Sequence, residues 1–251
     1  AGLGGVRWRG RVGGGGLLVP GEGGVGGGRR RRWVGVGVDR AAWRMGHRLG
    51  SGLGRPGRDR LAGIVEVDET YIGGEEPGLR GGRARGKKAL VGVAVEVTQP
   101  RGFGRCRMQI LADASVATLH PFVTAHVEPG SRVITDGWQG YRGIDKLGYT
   151  HEPRNQRAAR RRGESIDGLL PGVHRVASLA KRWLLGTHQG SVDEAHLQSY
   201  LDEFVFRFNR RRSRSRGLLF LRVLELAVAH APVPYRDLVA DPQPKKTAPK
   251  P

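Results

Sequence analysis

The stretch IVEVDETYI, residues 64–72, is where the chain first shows the pattern of a folded core. Apolar and polar residues alternate along it, which is typical of a β-strand with one buried face. Its adjacent acids, Asp68 and Glu69, must lie on opposite faces of the sheet, because side chains alternate along a strand. We therefore expect Asp68 to carry function and Glu69 to have a structural role.

The segments after residue 72 predict the rest of an α/β core. The loop 73–88 is rich in Gly, Arg and Lys, and the short connections around the next strands favour an antiparallel meander. The predicted strands are 89–97, 104–111, 132–135 and 149–152, and the predicted helices are 115–127, 138–146, 174–185 and 192–208. Residues 154–172 predict an exposed loop. This order of elements is that of a ribonuclease H-like fold, a mixed five-stranded sheet flanked by helices.

Composition divides the chain into four segments. Residues 1–39 are rich in Gly and Arg and are expected to be disordered, because they offer too little apolar surface to offset the entropy of ordering. The same segment would suit a nonspecific DNA-binding arm. Residues 40–62 are expected to form a helical linker, 63–231 the ribonuclease H-like domain, and 232–251 a disordered tail rich in Pro and Lys.

The net charge of +20, from 43 Lys and Arg against 23 Asp and Glu, favours a polyanionic partner. A membrane is disfavoured, because no apolar run of about 18 residues is present. The only cysteine, Cys106, can form neither an internal disulfide nor a zinc site by itself, and its strand context predicts a buried, inert thiol. We expect a cytoplasmic protein that binds nucleic acid.

Three acids stand out by their context. Asp68 and Asp136 each lie in or directly after a β-branched run, and Glu203 lies on a predicted amphipathic helix. Phosphodiester chemistry uses two divalent ions to activate the nucleophile and to neutralise charge on the phosphate oxygens, and carboxylates are the ligands that Mg²⁺ or Mn²⁺ prefers. We expect all three acids to converge on one site that binds two ions.

Several side chains near these acids have two interpretations. Trp138 and Tyr141 follow Asp136 at helical spacing, so they either pack in the core or stack on an unpaired base. Arg207, Arg210 and Arg211 follow Glu203, so they either form a solvated helix end or contact DNA phosphates.

Four strings in order carry a resemblance to a known family. VDETYIGG (67–74), HVEPGSRVITDGWQGY (126–141), HRVASLAKRWLLGTHQG (174–190) and HLQSYLDEFVFRFNRR (196–211) resemble the catalytic domain of DDE-type bacterial insertion-sequence transposases. The resemblance covers roughly residues 40–231. It matches Asp68, Asp136 and Glu203 to the three catalytic acids and Arg210 to a basic position that often follows the last acid.

The resemblance implies nicking at the ends of a mobile element, followed by attack of the freed 3′-hydroxyl on target DNA. It implies two Mg²⁺ or Mn²⁺ ions and double-stranded DNA partners, namely transposon ends and target. His174 and Lys181 lie in a matched string and are candidate phosphate contacts, although His174 has no histidine at metal-ligand spacing. Because two DNA ends must be held together, we expect a homo-oligomer assembled on DNA, associated with the bacterial nucleoid.

Two alternatives remain at this level. Many relatives carry a Cys-rich zinc ribbon and a helix-turn-helix before the core, whereas residues 1–60 have no cysteine and little helical pattern beyond 40–49. The chain could therefore be a truncated or catalytically inactive DNA-binding remnant. A structure-specific nuclease on the same fold, which cuts DNA without joining it, is the other alternative.

Overall fold

A mixed five-stranded sheet lies at the centre of the protein in the computed structural model, which describes residues 50, 52–54, 58–73, 88–98, 102–163, 168–188, 194–229 and 231. The strands are β1 (Ile64–Ile72), β2 (Ala89–Val97), β3 (Phe103–Leu111), β4 (Arg132–Thr135) and β5 (Thr150–Pro153). Their order across the sheet is β3-β2-β1-β4-β5. The first three strands pair antiparallel, and β4 and β5 add in parallel.

Five α-helices are described, and three of them pack on the sheet. They are α1 (Val116–His126), α2 (Gln156–Arg161), α3 (Pro171–His188), α4 (Glu194–Asn209) and α5 (Arg216–Ala229). α1 packs on one face of β2 and β3, whereas α3 packs on the other face of β1 and β2, and α4 lies along β3. A helix is required between β3 and β4 because a parallel strand cannot follow through a tight turn.

Alternation along the strands produces two apolar cores. On β2, Val91, Val93 and Val95 join the cluster under α3 and α4. Leu90 and Ala94 of the same strand join the cluster under α1, together with Val65 and Val67 of β1. β2 is therefore apolar on both faces, as expected for a strand covered by helices on both sides.

The predicted fold class and strands are confirmed, with strand limits displaced by one residue at most. The predicted helix 138–146 is instead two 3-10 helices, Gln139–Tyr141 and Ile144–Leu147, because Gly143 between them adopts the left-handed region with φ 83°. The predicted loop 154–172 contains α2 and the start of α3, and α5 was not predicted. Segments 1–39 and 232–251, and most of the linker 40–62, lie outside the described residues.

None of the helices in the described ranges has both the length and the apolar character needed to span a membrane.

Candidate active site

The pairing register between β1 and β4 brings two aspartates to one place. The last parallel pair joins Glu66 to Ile134. Asp68 and Asp136 each lie two residues beyond this pair, on neighbouring strands that run in the same direction. Both line a cavity of about 320 Å³. Ligand sites in α/β sheets commonly lie beyond the carboxyl ends of such strands.

Local backbone hydrogen bonds hold each aspartate. The backbone N–H of Glu69 donates to Asp68 Oδ1 at 2.8 Å, and the backbone N–H of Trp138 donates to Asp136 Oδ1 at 2.8 Å. Gly137 lies between Asp136 and Trp138 with φ 78°, a conformation that glycine adopts without steric cost. The turn after β4 therefore presents Asp136 in a defined orientation.

His174 is the ionisable side chain that α3 contributes to the cavity lining. Its Nε2 atom lies 3.6 Å from Asp68 Oδ2, and it lines the same cavity as both aspartates. No histidine stands at metal-ligand spacing from His174, so the sequence marked it only as a candidate phosphate contact within a matched string. The partner that matters is Asp68, 106 residues away along the chain, so a long-range contact was the signal and local spacing could not supply it.

Glu203 is not among the residues that line this cavity, so the three predicted acids are not gathered there. α4 packs on β3, and β3 is separated from β1 by β2. Neighbouring strands are about 4.8 Å apart, so β3, which contacts α4, lies two such spacings from β1, which carries Asp68. Glu203 is 1% exposed and accepts a hydrogen bond from Arg207 Nε at 2.8 Å. The helical stripe predicted a buried Glu203, and the structure confirms its burial but not its place at the cavity.

The motif around Glu203 has a clear structural role, which is to cover the outer edge of β3. Gln198 accepts a hydrogen bond from the N–H of Ile110 and donates to the carbonyl of Met108. Asn209 accepts from the N–H of Cys106 at 2.7 Å and donates to its carbonyl at 3.1 Å. The two carboxamides thus bond to backbone N–H and carbonyl groups of β3 that could otherwise pair with a strand of another chain.

Glu69 also lines the cavity, and Tyr141 lies in the core cluster under α1. Glu69 pairs with Gly92 in the register of β1 and β2, so its side chain lies on the face opposite Asp68, as predicted. Tyr141 is fully buried. Burial and the nearby carboxylates of Glu69, Asp68 and Asp136 raise the pKa of its hydroxyl. Trp138 donates its indole N–H to the carbonyl of Ala114 at 2.8 Å, so both aromatic residues belong to the core packing.

The predicted phosphate-contacting arginines all make contacts within the chain. Arg207 pairs with Glu203, and the guanidinium groups of Arg210 and Arg211 each lie 4.0 Å from the ring centre of a phenylalanine on α4, Phe206 and Phe208 respectively. Lys181 lies one helical turn beyond Ala177, a residue that lines the cavity. Burial and the charge of Lys88 lower the pKa of Lys181.

Cys106 takes no part in the site. It is fully buried, and burial raises the pKa of its thiol to about 12. A thiol with so high a pKa is not a nucleophile at neutral pH. The prediction of a buried, inert thiol is confirmed.

The donor set at the cavity is chemically suited to a divalent ion. Asp68 and Asp136 offer hard carboxylate oxygens, and His174 offers an imidazole nitrogen that Mn²⁺ also accepts. Within the described ranges, no group of three or more His, Cys, Asp or Glu side chains is gathered closely enough to hold a metal together. An ion at this cavity would therefore rely on the two aspartates, with water and substrate oxygens completing its shell.

One family model matches the sequence that forms this part of the fold. The sequence model of the ISXO2-like transposase domain matches residues 60–209, which is more than half of the 251 residues. The matched segment includes β1, β4 and α3, which carry Asp68, Asp136 and His174. A comparison with curated proteins finds no match. The chain therefore belongs to the ISXO2-like family of DDE-type insertion-sequence transposases.

Proposed function

We propose that this transposase catalyses metal-dependent cleavage of DNA strands and transfer of the cut 3′ end to target DNA. The observation that carries the proposal is the β1 and β4 register, which sets Asp68 and Asp136 at equivalent positions of adjacent parallel strands beside one cavity. The net charge of +20 supports a polyanionic substrate.

Asp68 and Asp136 would hold the divalent ions, Mg²⁺ or Mn²⁺, and two ions are expected. When bound, such ions activate a water or hydroxyl nucleophile and neutralise charge that develops on the phosphate oxygens. The chain's own contribution is to hold both carboxylates rigidly, through the N–H groups of Glu69 and Trp138. His174 would keep Asp68 oriented through its Nε2 atom and replaces Glu203 as the third side chain of the proposal.

The DNA would enter at the mouth of the cavity between β1, β4 and α3. Lys181 and Lys88 lie close enough for their charges to interact. Two neighbouring ammonium groups beside the cavity would favour a phosphate of the bound strand. We further propose that two copies assemble on DNA, because transposition must hold two ends at once.

The test is a nicking assay on duplex DNA that carries the element ends, with Mg²⁺ added or chelated. Asp68→Asn and Asp136→Asn should each lower the rate by about 100-fold or more, because each removes a charged ligand. Asp145→Asn is the matched control, since Asp145 is exposed on the 3-10 helix Ile144–Leu147. Full Mg²⁺-dependent nicking by either active-site variant would rule out the assignment.

The alternatives are separated by two further readouts of the same protein. A non-catalytic DNA-binding remnant would bind the element ends but would not nick them at any metal concentration. A structure-specific nuclease would nick, but it would not join a precut 3′ end to a second duplex. Strand transfer from that precut end is the outcome expected here.

A further inference from the structure

The N-terminus of α3 lacks a cap from its own sequence. Its first residue is Pro171, and the residue before it, Leu170, is fully buried and has no side-chain acceptor. The first bond of the helix runs from the N–H of His174 to the carbonyl of Leu170 at 3.1 Å. The N–H groups of Gly172 and Val173 therefore have no acceptor within the helix, and burying such groups without a partner is unfavourable.

The missing acceptor comes from β1. Glu66 Oε2 accepts hydrogen bonds from the N–H of Gly172 at 2.7 Å and from the N–H of Val173 at 3.0 Å. Glu66 is 2% exposed and lies more than 100 residues earlier in the chain. A carboxylate at a helix N-terminus is favoured by the N–H groups that have no acceptor within the helix and by the helix dipole. Hydrogen bonds to a charged acceptor are stronger than those to a neutral one.

The glycine at position 172 makes this approach possible. A Cβ atom placed there would lie 2.8 Å from Glu66 Oε2 and 3.1 Å from the ring of Phe103. A side chain at this position would have to displace the Glu66 carboxylate and the ring of Phe103. The contact is therefore built from both sides, by a buried carboxylate and by the residue that leaves room for it.

The same contact sets the distance between α3 and the candidate active site. Glu66 and Asp68 are two residues apart on β1, so their side chains lie on the same face. On α3, the two bonded N–H groups belong to the residues immediately before His174. Holding those N–H groups against β1 thus fixes the helix at the place where His174 Nε2 lies 3.6 Å from Asp68 Oδ2.

We propose that Glu66 is a positioning residue, which caps α3 from β1 and thereby holds His174 against Asp68 for DNA cleavage. Its catalytic consequence rests on the proposed function, whereas the cap itself does not. Glu66 touches neither DNA nor the reacting atoms in this proposal and acts through α3.

The test compares Glu66→Leu and Glu66→Gln with the control Glu96→Gln. Glu96 is also a strand glutamate that accepts backbone N–H bonds, from Ala62 and Arg105, but its bonds do not involve α3. Hydrogen exchange of the Gly172 and Val173 amides, the ¹⁵N resonances of the His174 ring, and kcat and KM for nicking are measured for each folded variant.

In Glu66→Leu, the exchange of both amides should accelerate by about 10-fold or more relative to the other amides of α3, because two charge-assisted bonds are lost. The His174 ring resonances should shift, and kcat should fall by about 10-fold while KM for DNA changes by less than about twofold, since binding is not removed. Glu66→Gln keeps one acceptor oxygen and should give intermediate values. The control should match the parent protein.

Unchanged amide exchange in both Glu66 variants would overturn the cap. Faster exchange with unchanged His174 resonances, or with unchanged kcat, would overturn the positioning role. If the parent protein does not nick DNA, the proposed function fails, and the amide and His174 readouts still decide whether Glu66 holds α3. Glu66→Gln, which is nearly isosteric, keeps the test available if the leucine variant does not fold.

Discussion

Burial changes the ordinary charge behaviour of Glu203. Its side chain is 1% exposed, and burial raises its pKa from 4.5 to about 7, although Arg207 opposes the shift. Its Oε2 atom has no hydrogen-bond partner among the described residues. A buried carboxylate with one unsatisfied oxygen is unfavourable, so the folded protein prefers the protonated form.

This preference predicts a pH dependence of stability that belongs to one residue. The pKa of Glu203 is higher in the folded protein than in the unfolded chain. Protonation of Glu203 therefore stabilises the folded protein fully below pH 4.5, and this stabilisation is lost as the pH rises through about 7. A shift of this size corresponds to roughly 3 kcal/mol. Glu203→Gln should remove this dependence, as measured by urea unfolding across the pH window.

The control for this measurement is Glu225→Gln. Glu225 also pairs with an arginine on a helix, Arg222, but both side chains are largely exposed, so the pair contributes little. Its unfolding curves should follow those of the parent protein at every pH. The same pH dependence in Glu203→Gln and the parent would contradict the assignment.

At the scale of elements, α4 acts as a cover for the β3 edge. The carboxamides of Gln198 and Asn209 bond to the backbone of β3, and Arg211 adds bonds to the carbonyls of Gly104 and Phe103. An open edge strand invites pairing with another chain. The helix thus protects the sheet as well as packing on its apolar face.

Removing one of these carboxamides should destabilise the folded protein and expose the outer edge of β3. Asn209→Leu keeps the approximate volume but leaves the N–H and carbonyl of Cys106 without partners. We expect a loss of about 1–3 kcal/mol in the free energy of unfolding, together with self-association at high concentration. Urea unfolding and light scattering measure the two effects. Gln139→Leu, at an exposed site away from β3, should show neither; a stable, monomeric Asn209→Leu protein would contradict the role of α4.

At the scale of the whole molecule, the excess of basic residues governs the encounter with DNA. The net charge is +20, and binding to a polyanion releases condensed counterions. For about six phosphate contacts, affinity should fall by roughly 10³-fold between about 50 and about 200 mM salt. Fluorescence anisotropy with a labelled duplex measures this slope.

The Asp68→Asn variant is the informative comparison for that slope. It removes a negative charge next to the substrate, so its affinity should equal or exceed that of the parent protein while its nicking is lost. An affinity that does not depend on salt would show that charge does not drive the association.

Much of the fold could be predicted from local pattern. The alternation in 64–72 and the apolar runs at 89–97 and 132–135 became strands, since one apolar face gives alternation and burial on both faces gives a continuous apolar run. The helix expected at 138–146 failed because a single left-handed glycine, Gly143, ends one helical turn and starts another. α2 and α5 were missed for a different reason. Arginines within α2, and the Arg- and Ser-rich residues before α5, obscured the helical period.

The amino-acid sequence by itself determined where the strands lie along the chain, the basic charge and the position of the two aspartates at or near strand ends, because these follow from residue type and local periodicity. Only the tertiary structure decided which third side chain meets Asp68. The choice between His174 and Glu203 depends on how two helices pack across a sheet, and no local period encodes that packing. The Glu66 cap is of the same kind, since a carboxylate on β1 completes a helix whose own sequence supplies no acceptor.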